Sequence, residues 1–286
     1  LSSAASDVYK RQATSCVLLL FRPAAQEPYA RIRIPESYKI GNTYSILVFG
    51  LKAEDFEYAY QMDGPADQAR GLLFNRKHTL LDPYAKAVTG QRNWGEKPEG
   101  GKDFVYKARV VQSDFDWGRY RNLNYKFEDL VIYEMHVRGF TKDASSGVKG
   151  GGTFEGLRQK IPYLKDLGIN AVELMPIFEF DEMESARVVD GVQLYNYWGY
   201  NTVSFFAPNT SYAFHQEHNH EGDELKRLIR ELKENGIEVI LDVVFNHTAE
   251  GNEDGPCFCF KGIDNNIYYT VSYTHLRAHE TRRHLV

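Results

Sequence analysis

The chain has 286 residues, of which 43% are hydrophobic and 26% charged, so a core of ordinary size is expected and disorder throughout is excluded. Its formal net charge of −5 argues against binding to nucleic acid or to an anionic membrane surface. The three cysteines exclude a disulfide scaffold, and no apolar run approaches the roughly 20 residues of a membrane helix, so we expect free thiols, no membrane partner and a cytoplasmic location.

The two ends of the chain differ in composition from everything between them. Residues 1–12 are small, polar and without pattern, and residues 271–286 turn abruptly rich in His and Arg. Both stretches resemble translated sequencing-adaptor sequence. We therefore expect both to be foreign to the native fold.

Two groups of histidines raise the possibility of a metal site. His275 and His279 have the four-residue spacing of a zinc pair on one helix face, but a disordered tail is the favoured interpretation. His215, His218 and His220 have no Cys or further His nearby to complete a site, which favours a solvated loop. The sequence therefore predicts no metal and no cofactor.

The first third of the chain shows short strand-like runs separated by turn residues. Four such runs occur: CVLLLF (16–21), ARIRIP (30–35), YSILVFG (44–50) and FEYAYQM (56–62). Short strands at this spacing are typical of a β-sandwich. We predict an accessory β-sandwich over 13–115 and a linker over 116–126.

From residue 127 onward, apolar strands alternate with amphipathic helices. Strand-like runs lie at 131–137, 171–176 and 238–245, and helical patterns follow the first two. Pro162 is expected to kink or restart the first helix, and residues 177–220 are expected to form one long loop. The alternation predicts βαβ units and a parallel sheet, in either a doubly wound fold or a (β/α)8 barrel. No G-x-G-x-x-G follows the first strand, which weakens the dinucleotide-binding alternative.

Polar residues gather where the predicted parallel strands end. The first strand leads into HVRGFT (136–141) and the third into DVVFNH (242–247). In a barrel these ends share one rim, where active sites are built. Polar side chains at a strand end are costly to bury without partners. Spacing alone also allows Asn246 and His247 to be a simple turn that opens a loop.

The motif DVVFNH is similar to the first signature motif of the α-amylase superfamily of glycoside hydrolases. Its extension over 246–269 resembles the isoamylase and bacterial glycogen-debranching branch. Further strings that resemble this branch, in the family's order, are DPYAKAV (82–88), FDWG (115–118), VIYEMHVRGFT (131–141), LMPIFEFDE (174–182) and NYWGYNTVSFFAP (196–208). The resemblance covers roughly residues 15–270. It implies a glycogen-binding-type β-sandwich without its first strand, followed by the first three βα units of a (β/α)8 TIM barrel over 127–270.

The resemblance also implies roles for five residues. Tyr200 matches the tyrosine that stacks under the sugar to be cleaved, a contact in which apolar C–H bonds meet a ring face. His247 matches a histidine that hydrogen-bonds hydroxyls of that sugar, and Asp242 matches the aspartate at the base of the pocket. Asn246 matches a calcium ligand of many α-amylases, but the debranching branch departs from that usage and no calcium site is expected. Trp198 is expected to line the acceptor side.

The implied activity is that of a debranching enzyme that hydrolyses α-1,6 linkages in glycogen, amylopectin or limit dextrin by a retaining double displacement. In the family, the nucleophilic Asp and the acid/base Glu follow strands four and five. The chain ends after strand three, so no catalytic residue is predicted within it and the chain itself is expected to be inactive. Two alternatives stay open: a branching or trehalose-releasing enzyme of the same superfamily, and a non-catalytic α-glucan-binding protein.

Overall fold

The computed structural model describes residues 8–9, 13–97, 104–112, 114–119, 122–215, 220–252, 254–272 and 275–278. Predictions that involve the remaining positions, His218 and His279 among them, lie outside the described residues. His275 lies in a strand rather than in the helix that a zinc pair with His279 would need. Among the described residues, no helix combines the length and the apolar character that crossing a membrane requires.

The amino-terminal half consists of short antiparallel strands. They are β1 (Val8–Tyr9), β2 (Ser15–Phe21), β3 (Pro28–Ile34), β4 (Lys39–Ile40), β5 (Thr43–Tyr44), β6 (Glu57–Asp63), β7 (Ala66–Asp67), β8 (Leu72–Leu73), β9 (Ala87–Val88) and β10 (Ala108–Arg109). A five-stranded sheet has the order β3-β2-β6-β10-β9, and a three-stranded sheet has the order β1-β5-β4. The predicted runs at 16–21, 30–35 and 56–62 are confirmed as β2, β3 and β6. Tyr44 of the small sheet packs into the same buried cluster as Leu18 and Leu20 of β2, as the predicted β-sandwich requires.

The strand predicted over 44–50 is wrong beyond Tyr44, because residues 45–49 belong to no strand. The alternation that suggested it is nevertheless real. Ile46 and Val48 pack against the main core, whereas Leu47 and Phe49 are exposed. Apolar alternation reports which side chains are buried, and a strand additionally needs a neighbour to complete its backbone hydrogen bonds.

The carboxy-terminal half has the predicted alternation. Its elements are β11 (Ile132–Met135), α1 (Val137–Thr141), α2 (Phe154–Arg158), α3 (Ile161–Leu167), β12 (Ala171–Leu174), β13 (Phe178–Phe180), β14 (Arg187–Val189), β15 (Val192–Leu194), β16 (Thr202–Pro208), α4 (His220–Glu234), β17 (Glu238–Leu241), α5 (Phe260–Tyr268), β18 (Tyr269–Ser272) and β19 (His275–Ala278). Strands β11, β12 and β17 form a parallel sheet in that order, which confirms the first βα units of the expected barrel. Helices α2, α3 and α4 cover it through Phe154, Leu164, Leu228 and other buried side chains.

The break expected at Pro162 is confirmed. Helix α2 ends at Arg158, and α3 begins at Ile161 with the proline in its first turn. A proline there costs nothing in hydrogen bonding, because the first amides of a helix have no intrahelical acceptor.

The long loop predicted over 177–220 is wrong, because this stretch holds two antiparallel strand pairs. Strand β13 pairs with β16, and β14 pairs with β15. Asp190 and Gly191 join the second pair, with φ values of 49° and 79°. Positive φ at both central residues is the geometry of a two-residue type I′ hairpin turn, which makes β14 and β15 a compact projection from the surface.

One of the hydrophobic core clusters contains residues from both halves of the chain. Val203 and Ala207 of β16 and Phe260 of α5 lie in the same buried cluster as Leu20 and Tyr60 of the front sheet. The segment after β17 therefore folds back onto the β-sandwich. This contact positions the polypeptide that leaves the end of the third parallel strand.

Candidate functional site

The carboxyl ends of the three parallel strands lie at one edge of their sheet. Met135, Leu174 and Leu241 are aligned across β11, β12 and β17. The amide of Asp242 donates to the carbonyl of Leu174 at 2.9 Å, so Asp242 continues this alignment by one residue. The polar residues that follow the strands are thereby brought to one rim, which is where parallel-sheet proteins build their sites.

Tyr200 meets Asp242 at this rim. The Tyr200 hydroxyl donates to Asp242 Oδ2 at 2.5 Å, although the two residues are 42 positions apart in the chain. This hydrogen bond, together with partial desolvation, raises the pKa of Tyr200 to about 12. The phenol therefore stays protonated at neutral pH, and its ring is anchored at the hydroxyl end.

An open cavity of about 590 Å³ lies beside this pair, and Trp198, Tyr200 and His247 all line it. The rings of Trp198 and Tyr200 are nearly perpendicular, with centroids 6.4 Å apart, and Trp198 is 62% exposed. The rest of the lining is mainly polar: Glu184, Ser185, Arg187, Tyr195, Asn196, Tyr197 and Asn201. Exposed aromatic faces beside hydrogen-bonding groups suit a ligand with both C–H faces and hydroxyls, which describes a pyranose.

Asn246 and Asp242 are not among the lining residues, but each is hydrogen-bonded to one of them. Asn246 Oδ1 lies 2.6 Å from His247 Nδ1. An amide oxygen only accepts, so Nδ1 carries the hydrogen and a neutral His247 keeps Nε2 as an acceptor. Asp242 contacts Tyr200 and is not part of the cavity wall. Of the five residues singled out from the sequence, three therefore line the cavity and two support residues that do.

A second cavity, of about 140 Å³, lies in the front half and shares no lining residue with the first. It borders a buried ion group in which Glu57 contacts Lys107 at 2.9 Å and Arg109 at 3.6 Å. These charges pair with one another. Of these two cavities, the larger is therefore the candidate site, because its lining residue Tyr200 is hydrogen-bonded to Asp242 at the end of a parallel strand.

Buried carboxylates support the loop that carries Tyr200. Glu179 of β13 accepts a hydrogen bond from the Thr210 amide at 2.8 Å, and burial raises its pKa. Glu182 accepts from Ser211 Oγ at 2.5 Å, and burial raises its pKa to about 7. Gln91 of the front half accepts from the Glu182 amide at 3.1 Å. The sequence provided no indication of these hydrogen bonds, because the residues that they join are up to 119 positions apart.

His136 is a further residue that sequence reasoning missed, although it directly follows the first parallel strand. Its Nε2 lies 2.7 Å from the carbonyl oxygen of Tyr197, in the segment that carries Trp198 and Tyr200. Its position at the end of a parallel strand was the feature of the sequence that could have marked it as a site residue. Within the described residues, no group of three or more His, Cys, Asp or Glu side chains is arranged to hold a metal ion.

Comparison with known families gives two matches. A family described as "Alpha amylase, catalytic domain" matches residues 105–255. A family described as "Carbohydrate-binding module 48 (Isoamylase N-terminal domain)" matches residues 3–85. Together they cover both halves of the described fold.

Curated relatives and solved structures agree with these matches. Isoamylase 1, chloroplastic, of Arabidopsis thaliana is 39% identical over 269 residues, which are 91% of this chain and 34% of that protein. The glycogen operon protein GlgX homolog of Mycobacterium tuberculosis (strain CDC 1551 / Oshkosh) is 38% identical over 242 residues, 78% of this chain and 33% of that protein. A pullulanase from Anoxybacillus sp. LM18-11, solved with maltotetraose, shares the fold at a TM-score of 0.71 and 24% identity, over 95% of this chain and 38% of its own. The chain spans about a third of the length of these curated relatives.

Proposed function

The chain belongs to the α-amylase family, and from this premise we propose that it is part of a debranching enzyme. The reaction is hydrolysis of α-1,6 linkages in glycogen, amylopectin or limit dextrin by a retaining double displacement. The chain supplies one wall of the sugar pocket together with a glycogen-binding-type module. The free state of its three cysteines supports a cytoplasmic location.

The convergence of Trp198, Tyr200 and His247 on one cavity, beside an aspartate at a parallel strand end, carries this proposal. Tyr200 stacks under the sugar ring, since its hydroxyl is held by Asp242 and its side chain lines the cavity. His247 offers hydrogen bonds to sugar hydroxyls, and Asn246 sets its tautomer. Trp198 forms the acceptor side. A neutral polysaccharide fits the modest negative charge of the chain, which disfavours nucleic acid.

We further propose that the chain divides into a β-sandwich over 13–115, a linker over 116–126 and part of a barrel over 127–270. This chain does not itself hydrolyse glucan. Retaining hydrolysis needs two carboxyl groups about 5–5.5 Å apart across the scissile bond. Among the described residues that line the cavity, Glu184 is the single carboxylate.

Maltotetraose binding to the 286-residue chain tests the sugar-binding role. Isothermal titration should detect binding, and Trp198→Ala should weaken it about tenfold, since an aromatic contact worth about 1.4 kcal/mol is lost. Trp117→Ala is the matched control, because Trp117 is also exposed and is not among the residues lining the cavity. Equal affinity in wild type and Trp198→Ala would refute the role of this cavity.

The reaction is tested with an enzyme that carries this chain within a complete barrel. Incubation with β-limit dextrin should release linear α-1,4 chains and reduce the count of α-1,6 linkages in the proton NMR spectrum. Newly formed α-1,6 linkages would instead identify a branching enzyme, and unchanged linkages a non-catalytic binding protein. Hydrolysis of pullulan by the 286-residue chain alone would contradict its proposed inactivity.

A further inference from the structure

The segment from Tyr197 to Tyr200, which carries three of the aromatic rings that line the cavity, is held at three points. At its end, the Tyr200 hydroxyl is bonded to Asp242. In its middle, Gly199 has a φ of +81° and lies so close to the Phe180 ring that a Cβ would come within 2.5 Å of it. At its start, the carbonyl of Tyr197 lies 2.7 Å from His136 Nε2. The contact between His136 and the Tyr197 carbonyl links the segment to the end of strand β11.

The hydrogen bonds of His136 determine its tautomer. His136 is 8% exposed, and its Nδ1 accepts a hydrogen bond from the Gly139 amide at 3.0 Å, at the start of α1. Because Nδ1 is an acceptor, the hydrogen of the neutral ring is on Nε2. That hydrogen points at the Tyr197 carbonyl, with the Tyr212 hydroxyl also within 3.2 Å of Nε2. One imidazole thus caps a helix through one nitrogen and holds a loop through the other.

Ring packing strengthens the same contact. The imidazole and the Tyr197 ring stack at a centroid distance of 4.1 Å and an angle of 9°. The edge of Trp94, from the front half of the chain, closes on both rings at 6.2 Å and 5.8 Å. The Tyr197 hydroxyl lies over Gly139, where a Cβ would approach it to 2.4 Å, so a larger residue at that position would require the Tyr197 ring to shift.

We infer that His136 is a positioning residue for the sugar cavity. Its Nε2–H holds the Tyr197 carbonyl and its ring face holds the Tyr197 side chain, and this fixes where Trp198 and Tyr200 stand relative to Asp242. The part of the inference that concerns sugar rests on the proposed function. The part that concerns the loop does not, because the contacts exist without a ligand.

Two substitutions test the roles of the two His136 nitrogens separately. In His136→Asn, the short amide oxygen replaces Nδ1 and can still cap Gly139, but nothing reaches Tyr197. In His136→Gln, the longer amide can place an N–H near the former Nε2. We expect His136→Asn to speed amide exchange of a peptide covering 195–201 and to weaken maltotetraose binding about threefold to tenfold, the effect of one lost hydrogen bond. His136→Gln should restore a large part of both.

Thermal unfolding of each variant shows whether it is folded, and a peptide from helix α4 serves as the internal control for exchange. Unchanged exchange over 195–201 in a folded His136→Asn chain would overturn the inference. If the Asn variant does not fold, Gly139→Ala provides a second test, because its Cβ displaces the Tyr197 ring and should raise exchange in the same peptide.

A wild-type measurement needs no variant. Nitrogen-15 spectra of histidine-labelled chain should show His136 with its hydrogen on Nε2, and a hydrogen on Nδ1 would overturn the inference. The two proposals fail separately. If wild type binds no maltotetraose, the proposed function fails and the exchange data still decide the role of His136. If wild type binds but His136→Asn leaves both affinity and exchange unchanged, only the positioning role fails.

Discussion

Glu250 offers the sharpest test of how the loop after the third parallel strand is held. Its side chain is fully buried. Oε1 accepts from the amides of Phe258 and Cys259 at 2.9 Å and 2.8 Å. Oε2 accepts from the Lys261 amide and the Tyr269 hydroxyl, each at 2.9 Å. One carboxylate therefore satisfies three backbone donors that no helix or strand partner satisfies.

Glu250→Gln keeps the shape of the side chain and replaces one acceptor oxygen with an NH2 group. If the amide oxygen of Gln keeps the hydrogen bonds from the Phe258 and Cys259 amides, its NH2 group lies next to the Lys261 amide. Both groups are donors, so the Lys261 amide loses its acceptor. Losing a hydrogen bond to a charged acceptor costs about 1.5–3 kcal/mol, and stranding the buried donor costs about 1–3 kcal/mol. Tyr269 can turn to Thr248, whose Oγ1 is 2.5 Å away, so its loss is small. We expect the free energy of unfolding to fall by about 3–5 kcal/mol.

Urea unfolding of the 286-residue chain, followed by circular dichroism, measures this difference. Burial raises the pKa of Glu250, so the comparison is made at mildly alkaline pH, where the carboxylate form is favoured. Glu234→Gln, an exposed carboxylate at the end of α4, is the matched control and should change stability by less than about 0.5 kcal/mol. If the free energy of unfolding of Glu250→Gln lies within about 1 kcal/mol of wild type, the reasoning is refuted, because a buried amide without an acceptor should cost more than that.

Three further predictions follow from single contacts. Asp242→Asn should bring the pKa of Tyr200 down from about 12 toward its ordinary 10, read from the ring carbon shifts of Tyr200, because the hydrogen bond to Asp242 is the largest cause of the rise. Burial lowers the pKa of His136 from 6.5, so the imidazole is protonated in the unfolded chain at a higher pH than in the folded chain. The contribution of His136 to the free energy of unfolding is therefore complete above pH 6.5 and declines as the pH falls below 6.5. In urea titrations below pH 6.5, His136→Gln should lose stability less steeply than wild type. Phe154→Ala removes a fully buried ring that packs on Tyr212 at 5.7 Å and should lower the free energy of unfolding by about 3–5 kcal/mol in the same assay, while an effect under 1 kcal/mol would mean that this part of the core is loose.

The parts of the fold that depend on local pattern were predictable from the residues alone. The apolar runs at 16–21 and 56–62 became paired strands, the alternation after residue 127 became a parallel sheet with covering helices, and the helix broke at Pro162. Each of these follows from side-chain periodicity or from the missing proline amide, which act within a few residues. The same signals misled at 44–50, where burial without a neighbouring strand imitates a strand.

Site residues were predictable only as types at strand ends, together with the family resemblance. Asp242, Asn246 and His247 stand out because polar groups interrupt an apolar run at the point where a parallel strand must end. Tyr200 was found through its motif, and the stretch around it was expected to be an unstructured loop. In the structure, the β13–β16 pair frames that stretch and directs it toward the rim.

Tertiary structure alone decided which side chains meet. Tyr200 reaches Asp242 across 42 positions, His136 reaches Tyr197 across 61, and Gln91 reaches Glu182 across 91. Such pairs depend on sheet register and on how long loops close over a shared core, and neither is written in the spacing of nearby residues. The sequence by itself therefore determined the strands, the helices and the chemical character of the rim, whereas the packing of distant segments determined the cavity, because contacts between them exist only after the chain has closed.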